Sequence, residues 1–155
     1  MSYNKQDIEY MQRAISLAKN GAGFVNPNPM VGCVIVKDGD IIGEGFHEYY
    51  GGLHAERNAI KNCKSNCNGA TLYVTLEPCS MCAGALIQSR IKKIYIGAMD
   101  AKSGACGSVL NLLTDYKFNH NVEIEYDVLQ NDCEKLLKEF FKELREYKKL
   151  NRKGI

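Results

Sequence analysis

No apolar run in this chain approaches the ~20 residues that a membrane-spanning helix needs, so no membrane partner is expected. Its opening, MSYNKQDIEYMQRAI, lacks the basic stretch and apolar core of a secretory signal, and a cytoplasmic location is the expectation. Only three prolines occur in 155 residues, and no internal repeat, low-complexity tract or linker divides them. One domain covering 1–155 is therefore expected, long enough to bury roughly two-thirds of its unfolded surface. Acidic residues are missing after Tyr147, where Lys148, Lys149, Arg152 and Lys153 follow. The formal charge of +2 thus sits in the tail, because residues 1–147 carry sixteen bases against eighteen acids. Residues 148–155 read as a solvated, basic helix end. A net-negative body is not the broad basic footprint expected of an RNA binder. No DNA partner is expected.

What is present describes a soluble globular protein, with 45% hydrophobic and 25% charged residues. Seven cysteines, an odd number, are poor material for a disulfide framework in a reducing compartment. They point to metal ligands or small buried hydrophobes.

Ile8, Met11, Ile15 and Ala18 recur at helical spacing and end at the Asn20–Gly23 stop, predicting a first helix. MVGCVIVKDGDIIGEGF gives two β-rich runs around Asp38–Gly39, a strong hairpin signal. HAERNAIKNC then reads as helix, ATLYVTL as strand, CSMCAGALIQS as helix and KKIYIGAM as strand. After a Gly-rich loop, a last strand, NVEIEYDV, precedes a long helix whose Cys133, Leu136, Leu137, Phe140, Phe141, Leu144 and Tyr147 share a face. Alternating strands and helices of this kind predict an α/β fold. The expected form is a three-layer α/β/α sandwich around a mixed central sheet of about five strands, begun by a hairpin and continued through crossover helices.

Chemistry concentrates at the strand-to-helix junction LEPCSMC. Pro78 suits a helix start, so Cys79 and Cys82 fall in the first turn, on one face, where the positive end of the helix dipole favours thiolate. Two such thiols fit a redox pair, half of a structural zinc site or part of a catalytic one. Upstream, His54 and Glu56 flank one alanine at a second loop-to-helix junction. One histidine and two cysteines make three ligands, and catalytic zinc sites use three where structural sites close with four. Zinc lowers the pKa of a bound water to about 7, and a carboxylate two residues from a ligand can take that water's proton.

HAE followed by PCSMC matches the H-x-E…P-C-x-x-C signature of zinc nucleobase deaminases, and the chain resembles that cytidine deaminase-like superfamily. The resemblance implies hydrolytic exchange of an exocyclic amine for a carbonyl, with loss of ammonia. It assigns one zinc to His54, Cys79 and Cys82, and proton shuttling to Glu56. From about Ala70 to Lys149 the sequence resembles bacterial tRNA-specific adenosine deaminases, in TLYVTLEPCSMCAGALIQSRI, GAMDAKSGACGSVLNLL and CEKLLKEFFKELR. That family converts wobble adenosine to inosine and works as homodimers. The first half, through NPNPMVGCVIVKDG and GEGFHEYYGGLHAE, resembles the deaminase domain of the riboflavin-biosynthesis deaminase-reductase, which acts on a phosphorylated diaminopyrimidine.

The longer continuous resemblance makes tRNA adenosine the first substrate expectation, and a small nucleobase or nucleotide, such as a riboflavin-type diaminopyrimidine, the alternative. A structural zinc or RNA-binding module is the non-enzymatic alternative. The resemblance marks Asn28, His47, Ala55, Asp100, Lys102 and His120 as substrate-side residues. His47 stands where tRNA deaminases usually carry asparagine, and Asn121 where a basic residue is common. Asn28, between Pro27 and Pro29, can equally shape a turn, and His47 can equally satisfy a backbone group. Lys92 and Lys93 are further basic candidates for RNA. Cys63 and Cys67 are read either as structural or as a second soft-metal or redox pair, and Cys33, Cys106 and Cys133 as core fillers.

Overall fold

The computed structural model describes residues 3–153. Five strands form one sheet: β1 (Gly32–Lys37), β2 (Asp40–Phe46), β3 (Thr71–Leu76), β4 (Lys93–Ala98) and β5 (Glu123–Glu125). Four helices accompany them: α1 (Lys5–Ala18), α2 (Ala55–Lys61), α3 (Ser80–Gln88) and α4 (Gln130–Lys153). Strand order is β2-β1-β3-β4-β5, antiparallel across β2/β1 and β1/β3 and parallel across β3/β4 and β4/β5. Asp38 and Gly39 both have positive φ, 52° and 82°, the backbone that a two-residue hairpin turn requires. The sheet is therefore mixed, as the hairpin and the crossovers predict.

Alternation along the strands feeds two cores. On one face Cys33, Ile35, Leu72, Val74, Ile94 and Ile96 pack with Ala55 and Ala59 of α2 and with Ala83, Leu86 and Ile87 of α3. On the other, Val34, Val36, Tyr73 and Tyr95 pack with Met11, Ala14 and Leu17 of α1 and Cys133 of α4. These are the expected three layers. Gly45 permits α2 to lie directly on β2, since a Cβ there would collide with the Ala59 nitrogen. Cys33, Cys106 and Cys133 are fully buried, as core fillers should be.

Helix α1 begins in a capping box, Asn4 Oδ1 accepting from Asp7 N at 3.0 Å and Asp7 Oδ2 from Asn4 N at 2.8 Å. The other Asp7 oxygen accepts from the Tyr73 hydroxyl at 2.5 Å, which ties the helix start to the central strand. The side chains buried from α1 are Asp7, Met11, Ala14, Leu17 and Ala18, while Ile8 and Ile15 stay half-buried. Two other expectations are corrected. The last strand is Glu123–Glu125 alone, because the chain leaves the sheet at Tyr126 to bond Cys106 O through its hydroxyl at 2.6 Å. The apolar face of α4 is buried only through Cys133, Leu136 and Phe140, and Phe141 and Tyr147 are exposed where the helix runs past the sheet. Lys148, Lys149 and Arg152 are exposed on α4, and residues 154–155 of the expected basic end lie outside the described residues. No helix among the described residues is long and apolar enough to cross a membrane.

Candidate metal centre and its pocket

Two helix N-termini meet above the carboxyl end of β3. His54 is the N-cap of α2 and Cys79 the N-cap of α3, and neither caps its helix through its side chain, which frees both for other work. Cys82 follows three residues after Cys79, so one face of α3 carries both sulfurs. His54 Nδ1 lies 3.6 Å from Cys79 Sγ and 3.5 Å from Cys82 Sγ. All three donor atoms fall within 4.8 Å of one another.

That geometry fits zinc. Ligands at ~2.3 Å for sulfur and ~2.05 Å for nitrogen, spread at a tetrahedral angle, stand about 3.6 Å apart. The electrostatics fit as well. Hydrogen bonds from Cys82 and then His54 pull the Cys79 thiol down to about 3, a thiolate at neutral pH. Cys82 keeps the shared proton, its thiol pushed up by Cys79 and by burial, while the bond to Cys79 raises His54. Ligation needs both thiolates, so metal binding must release that proton.

Glu56, two residues into α2, is 3% exposed. Burial pushes its carboxyl up to about 7, against the smaller opposing pull of its own backbone N–H and of His54. It lines a cavity of about 170 Å³ together with His54, Cys79 and Ala55. Asn28 and His47 form part of the same wall. His47 Nδ1 lies 3.0 Å from Leu53 O, and a carbonyl can only accept, so Nδ1 carries the proton. His47 Nε2 is then the acceptor for Asn28 Nδ2 at 3.2 Å. Both ring nitrogens of His47 are engaged, and the Asn28 carbonyl oxygen is left as the acceptor of the pair. The alternative reading of His47, satisfaction of a backbone group, is thus part of how it positions Asn28.

Asp100 also lines the cavity, its carboxylate accepting from Ser103 Oγ at 2.8 Å and from the amides of Lys102 and Ser103. Two substrate-side candidates lie outside the cavity wall. Lys102 is exposed and contributes its backbone N–H to Asp100, and His120 Nε2 lies 2.6 Å from Ile91 O, beyond the end of α3.

Sequence reasoning passed over Glu77. It is 3% exposed and accepts from the amides of Asp100 at 2.9 Å, Cys106 at 3.0 Å and Ser108 at 2.9 Å, and from Ser108 Oγ at 2.5 Å. Gly104 leaves room for this carboxylate, which a Cβ would strike. One buried acid thereby folds the whole Asp100–Ser108 loop against the cavity. The sequence signal was an acid lodged between an apolar strand and Pro78, too short a pattern to distinguish from a solvated strand end. Pro29, Val31, Leu76 and Ser103 are further wall residues that no motif marked.

Comparison with known proteins agrees with the donor set. Residues 4–98 match the family model of the cytidine and deoxycytidylate deaminase zinc-binding region. The riboflavin biosynthesis protein RibD of Actinobacillus pleuropneumoniae is 48% identical over 141 residues, 87% of this chain and 36% of its own length. The chain therefore spans little more than a third of that relative. The tRNA-specific adenosine deaminase of Bacillus subtilis is 42% identical over 159 residues, covering 97% of this chain and 98% of the relative. Among solved structures, the diaminohydroxyphosphoribosylaminopyrimidine deaminase/reductase of Thermotoga maritima superposes with a TM-score of 0.76 at 42% identity, over 92% of this chain and 42% of that one. With a tetrahedral-spaced His-Cys-Cys trio beside a buried glutamate, and relatives matched over most of its length, the chain belongs to the zinc-binding cytidine and deoxycytidylate deaminase family.

Proposed function

We propose that this protein is a hydrolytic deaminase that exchanges an exocyclic amine of a nucleobase for a carbonyl oxygen and releases ammonia, with the wobble adenosine of tRNA as its substrate. The observation that carries the reaction class is Glu56, buried in the cavity beside the donor trio. His54, Cys79 and Cys82 would hold one zinc per chain. Zinc, when bound, supplies activation of a water near neutral pH. Glu56, held near neutrality by burial, accepts a proton and returns it to the leaving amine. Asn28 offers its carbonyl oxygen to a base N–H, and His47 holds the amide in that orientation. Ala55 and Val31 supply apolar wall, and Asp100 with Ser103 supplies polar wall.

The tRNA substrate is supported by the end-to-end match with a tRNA-specific adenosine deaminase and by the Asp100–Ser108 loop, which lies within the stretch of that resemblance. The same reading carries a cytoplasmic location and a homodimer. A second substrate, a small aminopyrimidine or its phosphate, is favoured by the Asn28–His47 pair, whose surrounding motifs resemble the riboflavin enzymes, and by the 48% identity to a RibD protein over 87% of this chain. Zinc-loaded protein, with Glu56→Ala as control, should be given wobble-adenosine tRNA at low salt, and separately small aminopyrimidines and their phosphates. Inosine from the unmutated protein alone supports tRNA. Ammonia from the small substrates with no inosine moves the assignment to them.

A further inference from the structure

A second pair of thiols lies away from the zinc donors. Cys63 Sγ and Cys67 Sγ are 2.9 Å apart, and both are free thiols. Neither lines the cavity, and neither belongs to the metal-competent cluster found among the described residues. Their proximity is built into the α2–β3 connection and does not depend on a helical turn. Cys63 N donates to Ile60 O at 3.2 Å and Lys64 N to Ile42 O at 2.8 Å, which fixes the near end. Ala70 N bonds Cys67 O at 2.9 Å and Gly69 N bonds Arg90 O at 2.9 Å, which fixes the far end. Lys37 Nζ holds Asn66 O at 3.1 Å between them. Cys63 Sγ is also backed by β2, where a Cβ at Gly43 would approach it to 2.7 Å. The segment therefore folds back on itself and presents sulfur to sulfur, with Cys63 partly open to solvent and Cys67 8% exposed.

We propose that Cys63 and Cys67 are a thiol-modification site that closes to a reversible intramolecular disulfide in the presence of a low-molecular-weight disulfide. The Cys63 thiolate, the more accessible sulfur, attacks one sulfur of the reagent and expels a thiolate, leaving a mixed disulfide. Cys67, once deprotonated, attacks the Cys63 sulfur and expels the second thiolate. Two protein thiols are oxidised, the reagent's disulfide is reduced to two thiols, and the two protons end on those products. Burial and the neighbouring Cys67 push the Cys63 thiol up to about 12, so this sulfur rests protonated and reacts slowly near neutral pH.

The test uses the full, zinc-loaded chain incubated with oxidised glutathione, acid-quenched, unfolded and alkylated. The seven thiols should fall by two, with zinc retained and recovery by a reductant. Lys64 lies between the cysteines, so the bond should hold two tryptic peptides together with the loss of two hydrogens. Cys67→Ser should stop at a glutathione adduct on Cys63, and Cys63→Ser should lose no thiol pair. No thiol loss, or loss at Cys79 and Cys82 with zinc release while Cys63 and Cys67 stay reduced, overturns the proposal. An undiminished two-thiol loss in folded Cys67→Ser does so too.

Discussion

Two cysteine pairs in this chain differ by one residue in spacing and by everything in surroundings. Cys79 and Cys82 sit at the start of α3, facing His54, and the first thiol is drawn down to about 3. Cys63 and Cys67 sit in a loop with no histidine against them among the described contacts, and burial drives the Cys63 thiol up to about 12. The contrast teaches that spacing brings sulfurs together, while the helix terminus and the third donor decide whether they become a metal site or remain thiols.

The sharpest break of that comparison removes donors from each pair. Cys82→Ser or His54→Ala should take zinc from about one per chain to near none, whereas Cys63→Ser should leave it unchanged, as elemental analysis after dialysis will show. Next in size, Glu56→Ala should retain zinc and lose about 10²–10⁴ in turnover, read as ammonia release, because it removes the proton carrier and no ligand. Glu77→Gln should cost about 2–3 kcal/mol in chemical denaturation, since it sets an amide N–H₂ against backbone donors that now meet a carboxylate. Its zinc content should persist while the Michaelis constant rises, because the loop carrying Asp100 loosens. His47→Asn should shift relative turnover among substrates several-fold with zinc retained, through loss of the bond that orients Asn28. Smallest, alkylation of Cys63 should accelerate about tenfold per pH unit up to about 12, where an ordinary thiol levels off near 9; the sign follows from a raised thiol pKa, which keeps the reactive thiolate scarce until high pH.

Much of this was legible in the sequence because its signals are local. Asp38–Gly39 dictates its hairpin turn through the backbone it demands, and Pro78 marks the α3 junction that aims Cys79 and Cys82. The His54 and Cys79 N-caps fall where the HAE and PCSMC motifs put them. What stayed hidden depends on distant partners. Glu77 is an unremarkable acid until the loop 23 to 31 residues later wraps its amides around it. His47 reads from sequence as either a substrate contact or a backbone partner, and only the contacts with Leu53 O and Asn28 reveal that both its nitrogens are in use. His120 is held at Ile91 O, away from the cavity wall, a contact that chain order does not announce. The exposed second half of α4 shows the same limit: a continuous apolar stripe says which face could be buried, and only the length of the sheet beneath says how much of it is.

The proposed function requires that His54, Cys79 and Cys82 hold a zinc that works with Glu56 to deaminate a base. The most direct measurement is zinc content and ammonia release determined together, on wobble-adenosine tRNA and on small aminopyrimidines, for the unmutated protein, Glu56→Ala and Cys82→Ser. The expected results, in that order, are one zinc with turnover, one zinc without turnover, and neither. Equal ammonia release from folded, zinc-loaded Glu56→Ala, or undiminished zinc in Cys82→Ser, would contradict it.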